Sequence, residues 1–576
     1  SGGGGGPADG AGDHHPGGAA PSAASSVFAA LGTGPGGSSS AAAAEAVDRV
    51  ATGLACACAT LFGIGGGSAD DEFASGAGAA ASVGGGDAAV PVIRCRAGSA
   101  AEKVAEALEG KFRDHLASAR QQHAKSSSSA SAAPGAGRSA GGGPRPVVIL
   151  LDRADDLATP LKHTETYQAL VDDVLEGAAR NRVKLKDTVH DLAVDGDDDF
   201  FAAHAQRSLP DVIDASSEDL ARLREREHKV RAAGASSASS RPPGGAAAEG
   251  GSSTGGALAE AVGELPALLE RKKRLEAHTS ILGAVMEQVM RREIPSYYEA
   301  EEARRVDKSQ LWELLSADGK GSLDDKLRLL LARCLRAPSD ATFLGSGTDL
   351  SDAEVDELAK VLLAQEAASF PPSSSHTTTG VGVARAVDAL AALRRRGTEH
   401  APAVVNAADT TAAAAEESSG AAFAKRVFAR AHAGAAQIVD KAAKGVGDLV
   451  LGARATYAAR VADLVLSHPP GDTSTTGFRL IDPLRATGVT TSDAAIVFMV
   501  GGGCYAEYHA VQAAFSSAAA SHGASGGPRA VVYGATEMLK PEAFLARLVD
   551  LYAGGGGAHP PPGVVPAPDK NGASTT

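Results

Sequence analysis

VVILLDRADDLATPLKHTETYQALVDDVL, residues 147–175, opens on an unbroken apolar run from Val147 to Leu151. A run of this length, closed by polar residues, marks a buried strand. It stops at Asp152-Arg153, and a loop containing Thr159-Pro160 follows. Apolar residues then return at Tyr167, Leu170, Val171, Val174 and Leu175, which is helical spacing. A buried strand, a polar loop and a helix in succession form the basic unit of an α/β sheet.

Working outward, Val90–Arg94 (VPVIR) reads as a second short strand, and Ala42–Ile64 as a helix before it. Ser99–Ala117 is an amphipathic helix. Ser99 is placed as its N-cap and Glu102 as the reciprocal partner of a capping box. Strands recur only near the other end, at Ala495–Val500 and Ala530–Tyr533, each followed by a helix (Ala506–Ala518 and Glu542–Tyr552). The chain between is helical in pattern: Ser216–Val230, Leu265–Arg292, Leu311–Leu315, Leu323–Leu335, Ala353–Ala368 and Phe423–Leu451. The economical fold class is therefore α/β plus an all-α insertion, a parallel-sheet α/β domain split in sequence by a large helical domain. The expected boundaries are 27–205 and 471–552 for the two parts of the α/β domain. The helical domain spans 206–470, with hairpin arms 211–233 and 264–292 and a flexible loop at about 370–420. Gly/Ala/Ser-rich insertions, and the tails 1–26 and 553–576, are expected to be disordered because they cannot bury enough apolar surface.

Composition narrows the chemistry. The 576 residues carry a net charge of −14, which argues against a general nucleic-acid binder. Aromatic residues are 4% of the chain and Trp312 is the one tryptophan, so cores must rest on Leu, Val and Ala. The five cysteines (Cys56, Cys58, Cys95, Cys334, Cys504) are odd in number and scattered, as in a reducing compartment. The most apolar segment, Val50–Ile64, is too short to span a bilayer.

Two stretches could carry catalysis. Gly501-Gly502-Gly503-Cys504-Tyr505-Ala506 formally fits the dinucleotide fingerprint between a strand and a helix. The first acid past the next strand, Glu537, is too distant for the usual ribose contact, and no Lys-Ser/Thr follows the glycines. A nucleotide- or dinucleotide-binding α/β enzyme using this turn stands as the alternative, against a turn that simply packs Tyr505 and Tyr508. The second stretch gathers Asp152, Arg153, Asp155, Asp156, His163 and Thr164 in one loop, a set suited to acid/base or metal chemistry. With no second group at metal spacing, a structural loop is favoured. Asp318–Asp325 fails as a calcium loop because Leu323 stands where the turn needs Gly. No catalytic residue, cofactor or metal site is expected.

The remaining signals concern binding. Leu268, Lys272, Leu275, Thr279, Leu282, Met286 and Val289 alternate by four and three along the strongest helix, giving a coiled-coil-type stripe. Paired with Ser216–Val230 it makes a long helical hairpin. Phe423 and Val427 begin an apolar stripe in 423–451 whose polar positions are mainly basic: Lys425, Arg426, Arg430, Lys441 and Lys444. Such a helix suits an anionic membrane surface or docking on the helical domain.

These segments resemble the Sec-one/Munc-eighteen-like (SM) family, whose members act on SNARE proteins in vesicle fusion. The likeness is strongest to its Sly-one branch of ER–Golgi traffic. LLDRADDLATPLKHTETYQALVDDVL resembles that branch's hallmark, and VPVIRCRAGSAAEKVAEALEGKFRDHL, LPALLERKKRLEAHTSILGAVMEQV and IVFMVGGGCYAEYHAVQ resemble three further blocks. Cys504, after the triple glycine, departs from the usual polar residue. The resemblance implies an arch-shaped SM fold read here from its second domain, with Asp152, Arg153, Thr159, Pro160, His163 and Gly501–Gly503 as structural hallmarks. It further implies a non-enzymatic regulator that templates SNARE assembly. Its partners would be a syntaxin-type Qa-SNARE, an R-SNARE and the assembled bundle. Leu268, Lys272, Leu275, Thr279, Leu282 and Met286 are the expected SNARE-binding candidates. The basic helix (Phe423, Lys425, Arg426, Val427, Arg430, Lys441, Lys444) is the expected membrane-association element of a cytoplasmic protein peripheral to ER/Golgi membranes.

Overall fold

The computed structural model describes residues 40–62, 90–126, 144–175, 181–185, 188–192, 198–239, 252–302, 308–316, 320–335, 350–369, 381–396, 423–429, 456–486, 489–521 and 530–553. In chain order the first elements are α1 (Ser40–Phe62), β1 (Val92–Arg96), α2 (Ala100–Ser126), β2 (Arg145–Asp152), α3 (Tyr167–Val174), β3 (Arg182–Leu185) and β4 (Thr188–Asp191). Then come α4 (Asp199–His204), α5 (Leu209–Ser239), α6 (Ser252–Arg291), α7 (Ile294–Glu302), α8 (Lys308–Ser316), α9 (Leu323–Cys334), α10 (Asp352–Ser369), α11 (Val383–Arg396) and α12 (423–429). The last are α13 (Tyr457–Ser467), α14 (Thr473–Thr476), β5 (Phe478–Ile481), β6 (Thr491–Val500), α15 (Tyr505–Ser521), β7 (Ala530–Ala535) and α16 (Pro541–Tyr552).

Strands from the two ends of the sequence interleave in the order β5-β1-β2-β6-β7. β2 is parallel to both β1 and β6, with Val147 opposite Val92 and Ala495. β7 extends the sheet in parallel with β6. The split sheet is thus as expected, but it is not purely parallel: β5 runs antiparallel to β1, with Ile93 opposite Ile481. That edge strand is only FRLI, too short for its period to be read. The antiparallel pair β3–β4 forms a separate two-stranded sheet.

β2 shows why its sequence is continuously apolar. Val147, Ile149 and Leu151 enter a core with α13 and α15, whereas Val148 and Leu150 enter one with α1 and α2. Burying each such side chain is worth about 1.5–3 kcal/mol. The chain then leaves the sheet. Leu161 joins a third core with Tyr297, Leu311, Leu327, Leu358 and Phe544, drawn from α7 to α10 and α16. α3 does not fold back on the sheet as a crossover helix would. Its Tyr167, Leu170, Val171 and Val174 pack with Val212 of α5 and Ile281, Leu282 and Val285 of α6. Residues 147–175 therefore supply side chains to four cores and fix the helical insertion to the sheet.

α11 corrects the expectation of a flexible loop over the whole of 370–420. Val383, Ala386, Ala389, Leu390 and Leu393 are buried on one face of it. Their 3/4 spacing is helical, but the alanines and arginines between them read as low complexity. The expected tails 1–26 and 553–576, Ala553 apart, lie outside the described residues. Among the described residues, no helix is long and apolar enough to cross a membrane.

Candidate partner-binding hairpin and the structural loops

The loop after β2 uses its polar groups internally. One Asp152 carboxylate oxygen accepts from the Ala154 amide at 2.9 Å and caps the turn Arg153–Asp155. The other accepts from Ala100 at 2.7 Å and holds the start of α2. Arg153 is fully buried and donates to both carboxylate oxygens of Glu507 at 2.8 and 3.0 Å and to the Gly502 carbonyl at 3.3 Å. Burial opposes its charge, but Glu507 and Asp156 outweigh that and raise its pKa. Asp156 accepts from the Ala158 and Thr159 amides at 3.1 and 3.0 Å, which shapes the turn Thr159–Leu161 with Pro160 near its start.

His163 lies at the centre of a second buried cluster. Its Nδ1 is 2.8 Å from Glu301 and its Nε2 is 3.1 Å from Asp325. Its backbone amide donates to the second Glu301 oxygen at 2.7 Å. Carboxylates at both ring nitrogens favour the doubly protonated ring. Burial and Arg328 oppose that charge, yet Glu301 and Asp325 prevail and raise the pKa. Arg328 donates to both Asp173 oxygens at 3.0 and 2.9 Å, and Arg292 donates to Asp325 at 3.1 Å and Asp173 at 3.3 Å. Three cations thus meet three carboxylates. Glu301, Asp325, Arg328 and Glu507 carried no recognisable motif; the only trace was charge inside apolar helical runs. Among the described residues, no group of three or more His, Cys, Asp or Glu could hold a metal ion.

The glycine turn is also closed. Gly501 and Gly502 have φ of +102° and +104°, where a side chain is strained. A Cβ on Gly502 would strike Leu539, and one on Gly503 would strike the Tyr533 hydroxyl and Ala535. The Gly503 amide donates to the Glu537 carbonyl at 2.8 Å, Gly501 to Thr536 Oγ1 at 3.2 Å and Cys504 to Glu507 at 3.3 Å. Three of the turn's amides are thus taken, and the Glu507 carboxylate lies at the start of α15. This geometry counts against the dinucleotide reading of the turn. The Cys504 thiol is buried, and burial together with Glu507 pushes its pKa well up.

The hairpin of α5 and α6 is longer than expected at both arms, but its stripe faces inward. Leu275, with Leu268 beside it, packs on Leu220 and Leu223. Leu282 and Met286 join the core beneath α3. Thr279 Oγ1 is 3.1 Å from Ser216 Oγ, and Lys272 Nζ donates to Glu227 at 2.9 Å. The six SNARE-binding candidates therefore form the seam between the two arms and its continuation into the core. The 4/3 spacing identified a helix that needs a partner, and that partner lies in the same chain. What the hairpin offers outward is its flanks, including Leu269 at 43% exposure.

One flank holds a pocket of about 400 Å³ between α4, α5 and α6. Phe200 and Leu275 are among its apolar lining, with Asp199, Asp219, Glu270 and Arg271 among its charged lining. Phe200 is fixed by ring contacts to His204 at 4.6 Å and His278 at 5.0 Å. His278 is held in turn by Asp198 at 2.7 Å and Tyr167 at 3.1 Å.

The start of the basic helix is docked. Phe423 and Val427 are buried against the core of α3, α5 and α6, so they are not a membrane-facing stripe. Phe423 packs edge-on against Tyr298 at 5.2 Å, and Arg426 pairs with Asp211. Lys425 is exposed, and Arg430, Lys441 and Lys444 lie outside the described residues.

A model described as the Sec1 family matches residues 81–547. The chain is 27% identical over 499 residues to human Sec1 family domain-containing protein 1, covering 80% of this chain and 68% of that protein. It is 35% identical over 261 residues to Protein sly1 homolog of Drosophila virilis, covering 42% of this chain and 37% of that one. The crystal structure of Sly1p in complex with an N-terminal peptide of Sed5p superposes with a TM-score of 0.57 at 19% identity. That match covers 93% of this chain and 72% of Sly1p, and it is a likeness of fold.

Proposed function

Because this chain belongs to the Sec1 family, that of the SM proteins, we propose that it is a SNARE-binding regulator of vesicle docking and fusion. In this reading it templates or chaperones SNARE assembly in ER–Golgi transport and performs no catalysis. Its partners are a Qa-SNARE, an R-SNARE and the bundle they form. The Sly1 name of its relatives and the Sed5p peptide held by Sly1p support that choice of partners.

The observation that carries the reading is the α5–α6 hairpin. Its seam is self-sufficient, so its outer flanks are left to receive a helix. A template has to bind helices firmly enough to align them and weakly enough to release them, which suits small flanking contacts better than an open apolar groove. The protein would work on the cytoplasmic side of ER and Golgi membranes, held peripherally through Lys425, Arg430, Lys441 and Lys444. Its apolar anchor there cannot be Phe423 or Val427.

The immobilised chain, challenged with soluble ER–Golgi Qa- and R-SNAREs and with those of other compartments, tests the reading. Selective retention of the ER–Golgi set is expected, with faster assembly of that set in a zippering assay. Equal retention of every set would remove the ER–Golgi assignment, and retention of none would remove SNARE binding. For the membrane claim, deletion of 430–451 should reduce flotation with anionic liposomes; unchanged flotation would defeat it.

A further inference from the structure

We infer that Ser351 is a phosphorylation site for an acidophilic Ser/Thr kinase, and that Lys308 and Arg394 are placed to hold the phosphate. The chain enters α10 through Ser351-Asp352-Ala353-Glu354-Val355-Asp356-Glu357. Acids stand one, three, five and six residues past the serine. A kinase with a basic substrate groove selects such a pattern by charge. A serine with an acid three residues on also serves as a capping box, which is the plain structural use of this pair. That use is present here. Ser351 Oγ and the Ser351 amide both donate to one Glu354 oxygen at 2.8 Å.

Access sets Ser351 apart from the other capping serines. Ser351, Asp352, Asp356 and Glu357 are exposed, and the end turn of a helix opens at little cost. Ser99, with Glu102 three residues on, is buried. Ser322 precedes Asp324 and Asp325, but Asp325 is fully buried against His163 and Arg292. A kinase groove reaches neither of those sets.

Cations from two other helices are the independent sign of a phosphate. Arg394 of α11 donates to the Leu350 carbonyl at 3.2 Å and pairs with Asp352 at 2.9 Å. Lys308 of α8 donates to Glu354 at 2.7 Å. The two therefore flank the Ser351 hydroxyl, one through residues 350 and 352 and the other through residue 354. A capping box needs neither.

In the transfer, Ser351 Oγ bonds to the γ-phosphorus of ATP, the bond from that phosphorus to the departing ADP oxygen breaks, and the hydroxyl proton passes to the kinase. Phosphoserine carries nearly two negative charges and three acceptor oxygens at neutral pH. It would draw Arg394 from Asp352 and Lys308 from Glu354, at a helix N-terminus that itself favours negative charge. Its Oγ can no longer donate to Glu354. The capping box is thus exchanged for a clamp that ties α10 to α8 and α11.

The chain, incubated with ATP-Mg and a purified acidophilic kinase, or with a basophilic kinase as control, tests the site by peptide mass spectrometry. Phosphate on Ser351 is expected from the first kinase alone. Asp352→Asn with Glu354→Gln should slow that transfer by about tenfold or more. If Ser351 stays unmodified, or both kinases modify it equally, the motif is only a capping box and the inference fails. The clamp is tested by ³¹P NMR on the phosphorylated chain. The second phosphate pKa, ordinarily about 6, should be lowered in wild type and return toward that value in Lys308→Gln/Arg394→Gln. Both side chains are partly exposed, so the double variant should fold. Identical titration of the two proteins would overturn the clamp.

Discussion

The loop after β2 and the α5–α6 hairpin are built from the same residue types and put them to opposite use. In the loop, Arg153 and His163, together with Arg328 of α9 that reaches the loop's carbonyls, are buried and matched to carboxylates. In the hairpin, Arg222, Lys229 and Arg274 pair with neighbours on their own helix and stay in solvent. A buried charge without its partner is costly, so the first set fixes geometry. Exposed pairs contribute little and exchange readily, so the second set fixes little of the fold. A run of charged residues in the sequence therefore identifies neither a site nor a scaffold until burial is known.

The contrast can be broken most severely at Arg153. Arg153→Met leaves Glu507 buried and uncompensated and should cost about 3–5 kcal/mol in urea unfolding. The double variant with Glu507→Gln should recover much of that loss, since both charges are then gone. A cost below about 1 kcal/mol would mean that the pair does not fix the joint.

Leu275→Ala should cost roughly 2–3 kcal/mol, because the residue is 3% exposed at the hairpin seam. A neutral result would return Leu275 to the list of free binding residues. Gly503→Ala should cost about 1–3 kcal/mol, since the added methyl meets the Tyr533 hydroxyl and Ala535. A neutral outcome there would reopen the glycine turn as a place for a ligand.

His163 gives the comparison a pH axis. Its folded pKa is raised above the ordinary 6.5, so its stabilising contribution is complete below that value. The contribution is lost as pH rises through the raised folded value. Wild type should therefore lose stability on the alkaline side, and His163→Gln should show a flatter profile in melts taken from pH 6 upward. An equal slope in both would show that the ring is neutral in the folded protein. The smallest effect belongs to the exposed hairpin, where Lys273→Ala should change stability by no more than about 0.5 kcal/mol.

How much of this was legible in the sequence follows from what periodicity measures. Val147–Leu151 read as a strand because both its faces are buried, and both of those faces are now accounted for. Leu268 to Met286 read as a stripe, correctly, but spacing states that a face is covered and not by what. Only the fold shows that α5 and the core beneath α3 cover it. In the same way Tyr167 to Val174 read as a helix beside a strand, yet packs on the insertion. β5 and β3–β4 escaped because four residues carry too little period, and α11 escaped because alanine-rich helices look like linkers. The pocket was not legible at all. Its lining comes from α4, α5 and α6, and Phe200 on α4 had no pattern to mark it.

The interleaving of β2 between β1 and β6 sets a problem for the ribosome. Arg145 and Thr491 are partners in the ladder, 346 positions apart. At about 5–20 residues per second, the second is made roughly 20–70 s after the first. During that interval β1 and β2 have neighbours only on one side, and one edge of a strongly apolar strand has no mate. The helical insertion is synthesised in the meantime and offers the nascent chain the cores that Leu161 and Tyr167 join. A pulse-labelled nascent chain stalled before residue 490 should accordingly bind holdase chaperones through the 147–151 region, and release them once β6 has emerged.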